Sequence, residues 1–114
     1  MLPKDTNAFG TIFGGVILSH IDLAGAVEVR RHYNQRIVTK AMHEVAFVAP
    51  VHLGDLVTFY TRVVRTGRTS VTIDVDVEVE RLGASGTRET VKVTQAEVVY
   101  VAVDDAGNPI PLKK

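Results

Sequence analysis

The chain has 114 residues, no cysteine, 46% hydrophobic and 23% charged residues, and 13 basic side chains balanced by 13 acidic ones. That is the size and composition of one soluble globular domain covering residues 1–114. Zero net charge and the lack of tryptophan exclude bulk attraction to nucleic acid or an anionic membrane and argue against a base-stacking platform. Without cysteine there is no disulfide, thiol nucleophile or cysteine metal site, which is compatible with a reducing cytoplasm.

Residues 1–13 contain Pro3, Asp5, Asn7 and Gly10 and read as an extended lead-in with a turn, with Thr11 as a candidate N-cap. The apolar run that follows lacks a basic flank, contains His20-Ile21-Asp22, and is too short to span a bilayer, so it is neither a leader nor a membrane helix. From Gly14 to Ala26 it reads as a helix. Val16, Ile17, Leu18, Ile21, Leu23, Ala24, Ala26 and Val27 leave no wide polar face, so the helix is expected to be buried on nearly every side. It should fade between Arg30 and Asn34, where Arg30, Arg31 and His32 suit the C-terminal dipole.

Four strands follow. Ile37 to Val51 is rich in β-branched and small residues and ends near Pro50; His52-Leu53-Gly54-Asp55 turns into Leu56 to Arg65. Thr66-Gly67-Arg68 turns into Ser70 to Arg81. In that strand Val71, Ile73, Val75, Val77 and Val79 alternate with Thr72, Asp74, Asp76, Glu78 and Glu80, which gives the sheet a dry face and a wet one. After a loop at 83–86, Thr87 to Val103 forms the last strand. One helix and four strands joined by short hairpin-like turns predict an α+β domain whose antiparallel sheet lays its dry face on the helix.

Chemistry points to that helix. Asp22 is the lone carboxylate in its apolar run and must be desolvated or paired. Gly14 and Gly15 at the helix head allow close approach to first-turn N–H groups that have no intrahelical acceptor, where a carbonyl oxygen gathering charge would be stabilised. Asp22 lies about 10–12 Å from those glycines along the helix axis, too far for both to serve one carbonyl. Two copies packed antiparallel about a two-fold axis would bring Asp22 of one beside Gly14 and Gly15 of the other, twice over. Ala24, Gly25 and Ala26 leave space beside Asp22 for a partner chain or a slender substrate.

Other residues carry weaker signals. Asn7 offers a donor and an acceptor ahead of the helix and could orient a water or a carbonyl, although a turn-forming role is the simpler reading. His20 points away from Asp22. His32, His43 and His52 show no metal-ligand spacing, and Ser19 has no partnered histidine. The turn Gly67, Arg68, Thr69 and Ser70, with Arg62 and Arg65 before it and Arg88 and Lys92 as neighbours on the last strand, could donate to phosphate oxygens. A solvated hairpin end is the commoner meaning of such a run.

The segments DTNAFGTIFGG, SHID, VTKAMHEVAFVAPVHLGDLV, RTGRTSVTIDVDVEV and VTQAEVVYVAVDDAG, in that order, resemble the acyl-CoA thioesterases of hotdog fold, bacterial YciA type. The resemblance implies a central helix wrapped by the sheet, a double hotdog homodimer, and often a trimer of such dimers. It implies hydrolysis of acyl-CoA to CoA and a carboxylic acid, with no metal and no cofactor, CoA being part of the substrate. The family's helix carboxylate falls on Asp22, its oxyanion N–H groups on Gly14 and Gly15, its polar residue ahead of the helix on Asn7, and its CoA-binding turn on Gly67, Arg68, Thr69 and Ser70. The main rival is a non-catalytic acyl-CoA binding or sensing module on the same fold. A hotdog dehydratase or hydratase would need a catalytic histidine that neither His20 nor His43 is spaced to supply.

Overall fold

The computed structural model of the chain describes residues 14–83 and 86–113; Asn7 and Thr11 lie outside them. Helix α1 spans Gly14–His32 and is followed by strands β1 (Ile37–Phe47), β2 (Leu56–Thr66), β3 (Ser70–Leu82) and β4 (Arg88–Ala102). Every pairing in the four-stranded sheet is antiparallel, in the order β1-β4-β3-β2.

The alternation in β3 sets the core. Val71, Ile73, Val75, Val77 and Val79 are fully buried under α1 together with Val93, Ala96, Val98 and Tyr100 of β4, each large side chain contributing about 1.5–3 kcal/mol by leaving water. The polar residues of β3 face outward but are not all wet. Asp74 is buried, with the Arg62 guanidinium at 3.3 Å and the Gln95 amide at 3.3 Å.

Two expectations change. Consecutive hairpins join β2 to β3 and β3 to β4, but β1 pairs with β4, so residues 48–55 carry the chain from one edge of the sheet to the other. This crossover is pinned at its end by Asp55. Its carboxylate accepts from the Arg81 Nε at 3.0 Å, from a second Arg81 nitrogen at 2.6 Å and from the His52 N–H at 2.8 Å. Burial pushes the Asp55 carboxyl up, but the Arg81 hydrogen bonds, the His52 N–H and the two positive charges outweigh that and hold it below the usual carboxylate range.

The helix, moreover, buries one stripe and not its whole circumference: Ile17, Ile21, Gly25 and Val29 face the sheet, whereas Leu23 is 63% and Val27 55% exposed. The described residues form one sheet, and among them nothing covers the apolar residues on the far side of the helix. Strand β1 occupies the edge beside that bare side, and its ladder with β4 shifts register after Thr39 and again after His43, where Glu44 takes a φ of 55°.

Candidate functional site

Asp22 sits mid-helix, half-buried, on the face that looks toward β1. Strand β1 presents Thr39, whose Oγ1 donates to Asp22 Oδ1 at 2.6 Å. Strand β4 presents Tyr100 directly opposite Thr39, and its hydroxyl donates to the main-chain oxygen of Asp22 at 2.5 Å. Burial first, then the Asp22 charge beside it, push the Tyr100 hydroxyl well above its ordinary value, so it remains a protonated donor. These groups border a groove of about 340 Å³ between α1 and the β1 edge, with Ser19, Leu23, Ala26, Arg30 and Ile37 also in its walls.

The helix N-terminus opens into a different groove, of about 370 Å³, lined by Gly14, Ile17, Phe47, Val48, Pro50 and Val93. None of the described residues in its walls is charged. The Phe47 ring covers Gly14, whereas among the described residues nothing lies within 4 Å of where a Gly15 side chain would begin. Gly14 and Asp22 are eight residues apart on one helix, about 12 Å along its axis. Within a single chain they therefore belong to separate grooves.

The turn Gly67, Arg68, Thr69 and Ser70 is closed by the Gly67 N–H on the Ser70 carbonyl at 2.8 Å. It opens β3 where Ser70 pairs with Val101, the neighbour of Tyr100, so the turn and Asp22 are brought to the same end of the sheet. The backbone on either side of it is held: Ala102 N–H donates to the Thr69 carbonyl and Leu112 N–H to the Arg68 carbonyl, each at 2.9 Å. Among the described residues the Arg68 guanidinium has no carboxylate partner. The other cations expected near it face carboxylates of their own. Arg62 pairs with Asp74 and Arg65 with Glu97 on the outer face; Arg88 pairs with Glu80, and Lys92 lies 3.8 Å from Asp76. Lys92 is nine residues down β4 from Val101, about 30 Å away.

Sequence reasoning missed Thr39 and Tyr100. No local pattern marks Thr39, which meets Asp22 only through the packing of β1 on α1. Tyr100 does leave a trace: one phenol inside a run of valines must find a partner for its hydroxyl once buried. The space beside Asp22 was assigned to a partner or a substrate, and at Gly25 this is corrected. The chain's own Tyr100 fills it, since a Cβ on Gly25 would lie 3.0 Å from two carbons of that ring and would overlap its hydroxyl.

Among the described residues no cluster of three His, Asp or Glu is placed to hold a metal, and no helix is long and apolar enough to cross a membrane. A helix on a four-stranded antiparallel sheet, with one carboxylate held in a groove at the sheet edge, is the outline of a hotdog thioesterase, and the comparisons agree. Residues 9–84 match the thioesterase superfamily model, and the chain belongs to that family. It is 40% identical over 111 residues to the acyl-CoA thioester hydrolase YciA of Salmonella typhimurium, covering 97% of this chain and 84% of the relative. Among solved structures, the hexameric hotdog fold thioesterase of Campylobacter jejuni superposes with a TM-score of 0.91 at 43% identity, over 98% of this chain and 84% of that one. The hexameric thioesterase y2039 of Yersinia pestis gives 0.92 at 39% identity, over 99% and 90%.

Proposed function

We propose that this chain hydrolyses acyl-CoA thioesters to free CoA and a carboxylic acid, using two active sites that each draw on two copies of the chain. The observation that carries the reading is the Asp22 carboxylate, tied by one oxygen to Thr39 and open to the groove, in a chain so similar to acyl-CoA thioester hydrolases. Asp22 takes a proton from water as the water oxygen attacks the thioester carbon, or attacks that carbon itself. The carbon–sulfur bond then breaks and the thiolate leaves without much need for an acid; where Asp22 itself has attacked, water then hydrolyses the acyl–Asp22 anhydride, releasing the carboxylic acid and restoring the carboxylate. The carbonyl oxygen, negative in between, accepts from the Gly14 and Gly15 N–H groups of the second copy. In an antiparallel pair the apolar groove beside Gly14 would stand next to the Asp22 groove of the other copy and hold the acyl chain. Arg68 and the turn Gly67, Thr69 and Ser70 would meet the CoA phosphates, and Asn7 would orient the water or the carbonyl. No cofactor is required, and a cysteine-free chain suits the cytoplasm.

The exposed Leu23 and Val27 and the open β1 edge support the homodimer as the minimal unit, with a trimer of dimers as its further assembly. The test is release of free thiol from a panel of acyl-CoA esters, wild type beside Asp22→Asn. Turnover should fall by about 100-fold or more for loss of the acid–base group, with the melting temperature little changed. Native-speed hydrolysis by Asp22→Asn would refute the mechanism. A wild type that binds the esters tightly without cleaving them would make the chain a binding module.

A further inference from the structure

We propose that Tyr100 is a positioning residue for Asp22, setting through one rung of the helix the direction in which the carboxylate enters the groove, and that position 25 is glycine to let Tyr100 reach that rung. The inference rests on the reading of Asp22 as the acid–base or nucleophilic group and adds to it a device on the opposite wall.

In an uninterrupted helix the Asp22 carbonyl would be served by the Ala26 N–H alone. Here the Tyr100 hydroxyl also donates to that carbonyl, at 2.5 Å. The phenol therefore shares with the helix the acceptor of one rung, the Asp22 carbonyl. Valine-to-helix packing is non-directional; it presses α1 on the sheet but leaves the roll of the helix about its own axis weakly defined. Directional links are few. Among the described residues three side-chain hydrogen bonds join the sheet to α1, from Thr39, Thr61 and Tyr100, and two of the three end on Asp22. Thr39 holds the carboxylate itself and Tyr100 holds the backbone from which it springs.

Gly25 completes the device. It lies on the buried stripe of α1, where a methyl group would collide with the Tyr100 ring and hydroxyl. Glycine inside a helix is unfavourable relative to alanine, so its presence here calls for such a close approach. With burial and the Asp22 charge both favouring the protonated phenol, the donor persists across the pH range in which a thioesterase works.

Tyr100→Phe keeps the ring and deletes only the hydroxyl. With an active wild type, kcat on the acyl-CoA panel should fall roughly 10-fold while KM stays within about two-fold, because misaimed chemistry, not lost binding, is the defect. Amide exchange at Ala26, read by NMR, should quicken while that at Ile21 does not. Gly25→Ala, which displaces the hydroxyl by adding a methyl, should reproduce the kcat loss with Tyr100 intact. An active wild type whose Tyr100→Phe variant keeps its kcat overturns this inference alone, as does a fall in kcat with unchanged exchange at Ala26. A wild type inactive on every ester overturns the functional reading, and this inference with it.

Discussion

Asp22 and Asp55 show how the same side chain is put to two uses. Asp55 spends both oxygens on Arg81 and the His52 N–H and is left with nothing to offer a ligand; Asp22 spends one oxygen on Thr39 and keeps the rest facing a groove. Thr39→Ala should therefore lower kcat, by about 10-fold through loss of aim, and Thr39→Ser, which keeps the hydroxyl, should restore most of it. For Asp55 the effect is on stability. Its carboxyl is held below the unfolded value of 3.8, so the stabilisation is fully present above that pH and is lost as pH falls through the lower folded value. Asp55→Asn should cost about 1–3 kcal/mol at neutral pH by leaving Arg81 and the crossover underbonded, and should flatten the acid limb of stability against pH in denaturant titrations.

Elements differed in how far residue order alone could define them. The C-terminal end of α1 and the span of β3 were legible, the helix end because its apolar run closes in three basic residues and the strand because its apolar and polar residues alternate strictly. The path from β1 to β2 was not. A turn at 52–55 reads the same whether it closes a hairpin or ends a crossover, and only the pairing of Met42 with Val98 and of Phe47 with Thr94 decides between them. Likewise, hydrophobicity marked Ile21 and Leu23 equally, although Ile21 is 0% exposed and Leu23 is 63% exposed. Ile21→Ala should cost about 2–5 kcal/mol in chemical denaturation, the usual toll for a cavity in a core. Leu23→Ala should leave the fold of the chain close to wild type and weaken its self-association, measured by sedimentation.

At the scale of the molecule, the chain has a radius of gyration of 16.2 Å and extents of 52 × 25 × 22 Å, where a compact domain of this length would have a radius of about 13 Å. A long sheet with a helix on one face and a bare helix flank is an unfinished object. The two halves of the proposed site lie in separate grooves, which is why Asp22 and the glycine pair could be picked out as residues while the site proposed for them does not assemble within one chain. Mixing offers a direct check. Asp22→Asn and Gly15→Pro, the latter deleting one N–H where proline fits a helix start, should each be inactive alone. Refolded together in equal amounts, they should recover about a quarter of wild-type turnover, since half of the pairs are mixed and each mixed pair holds one intact site. No recovery would place both groups of a site on one chain.

The kink at Glu44 bears on what happens when such an assembly is diluted. A straight, exposed edge carrying Val38, Val45 and Phe47 would be a template for stacking chain upon chain into fibrils. A non-glycine residue at φ 55° interrupts that edge after seven residues, at a strain of about 1–3 kcal/mol, and ordered self-pairing ends there. Loosened protomers should thus stay dispersed, whereas a Glu44→Val variant, poorly suited to the left-handed backbone and stripped of charge, should scatter light and bind thioflavin on standing.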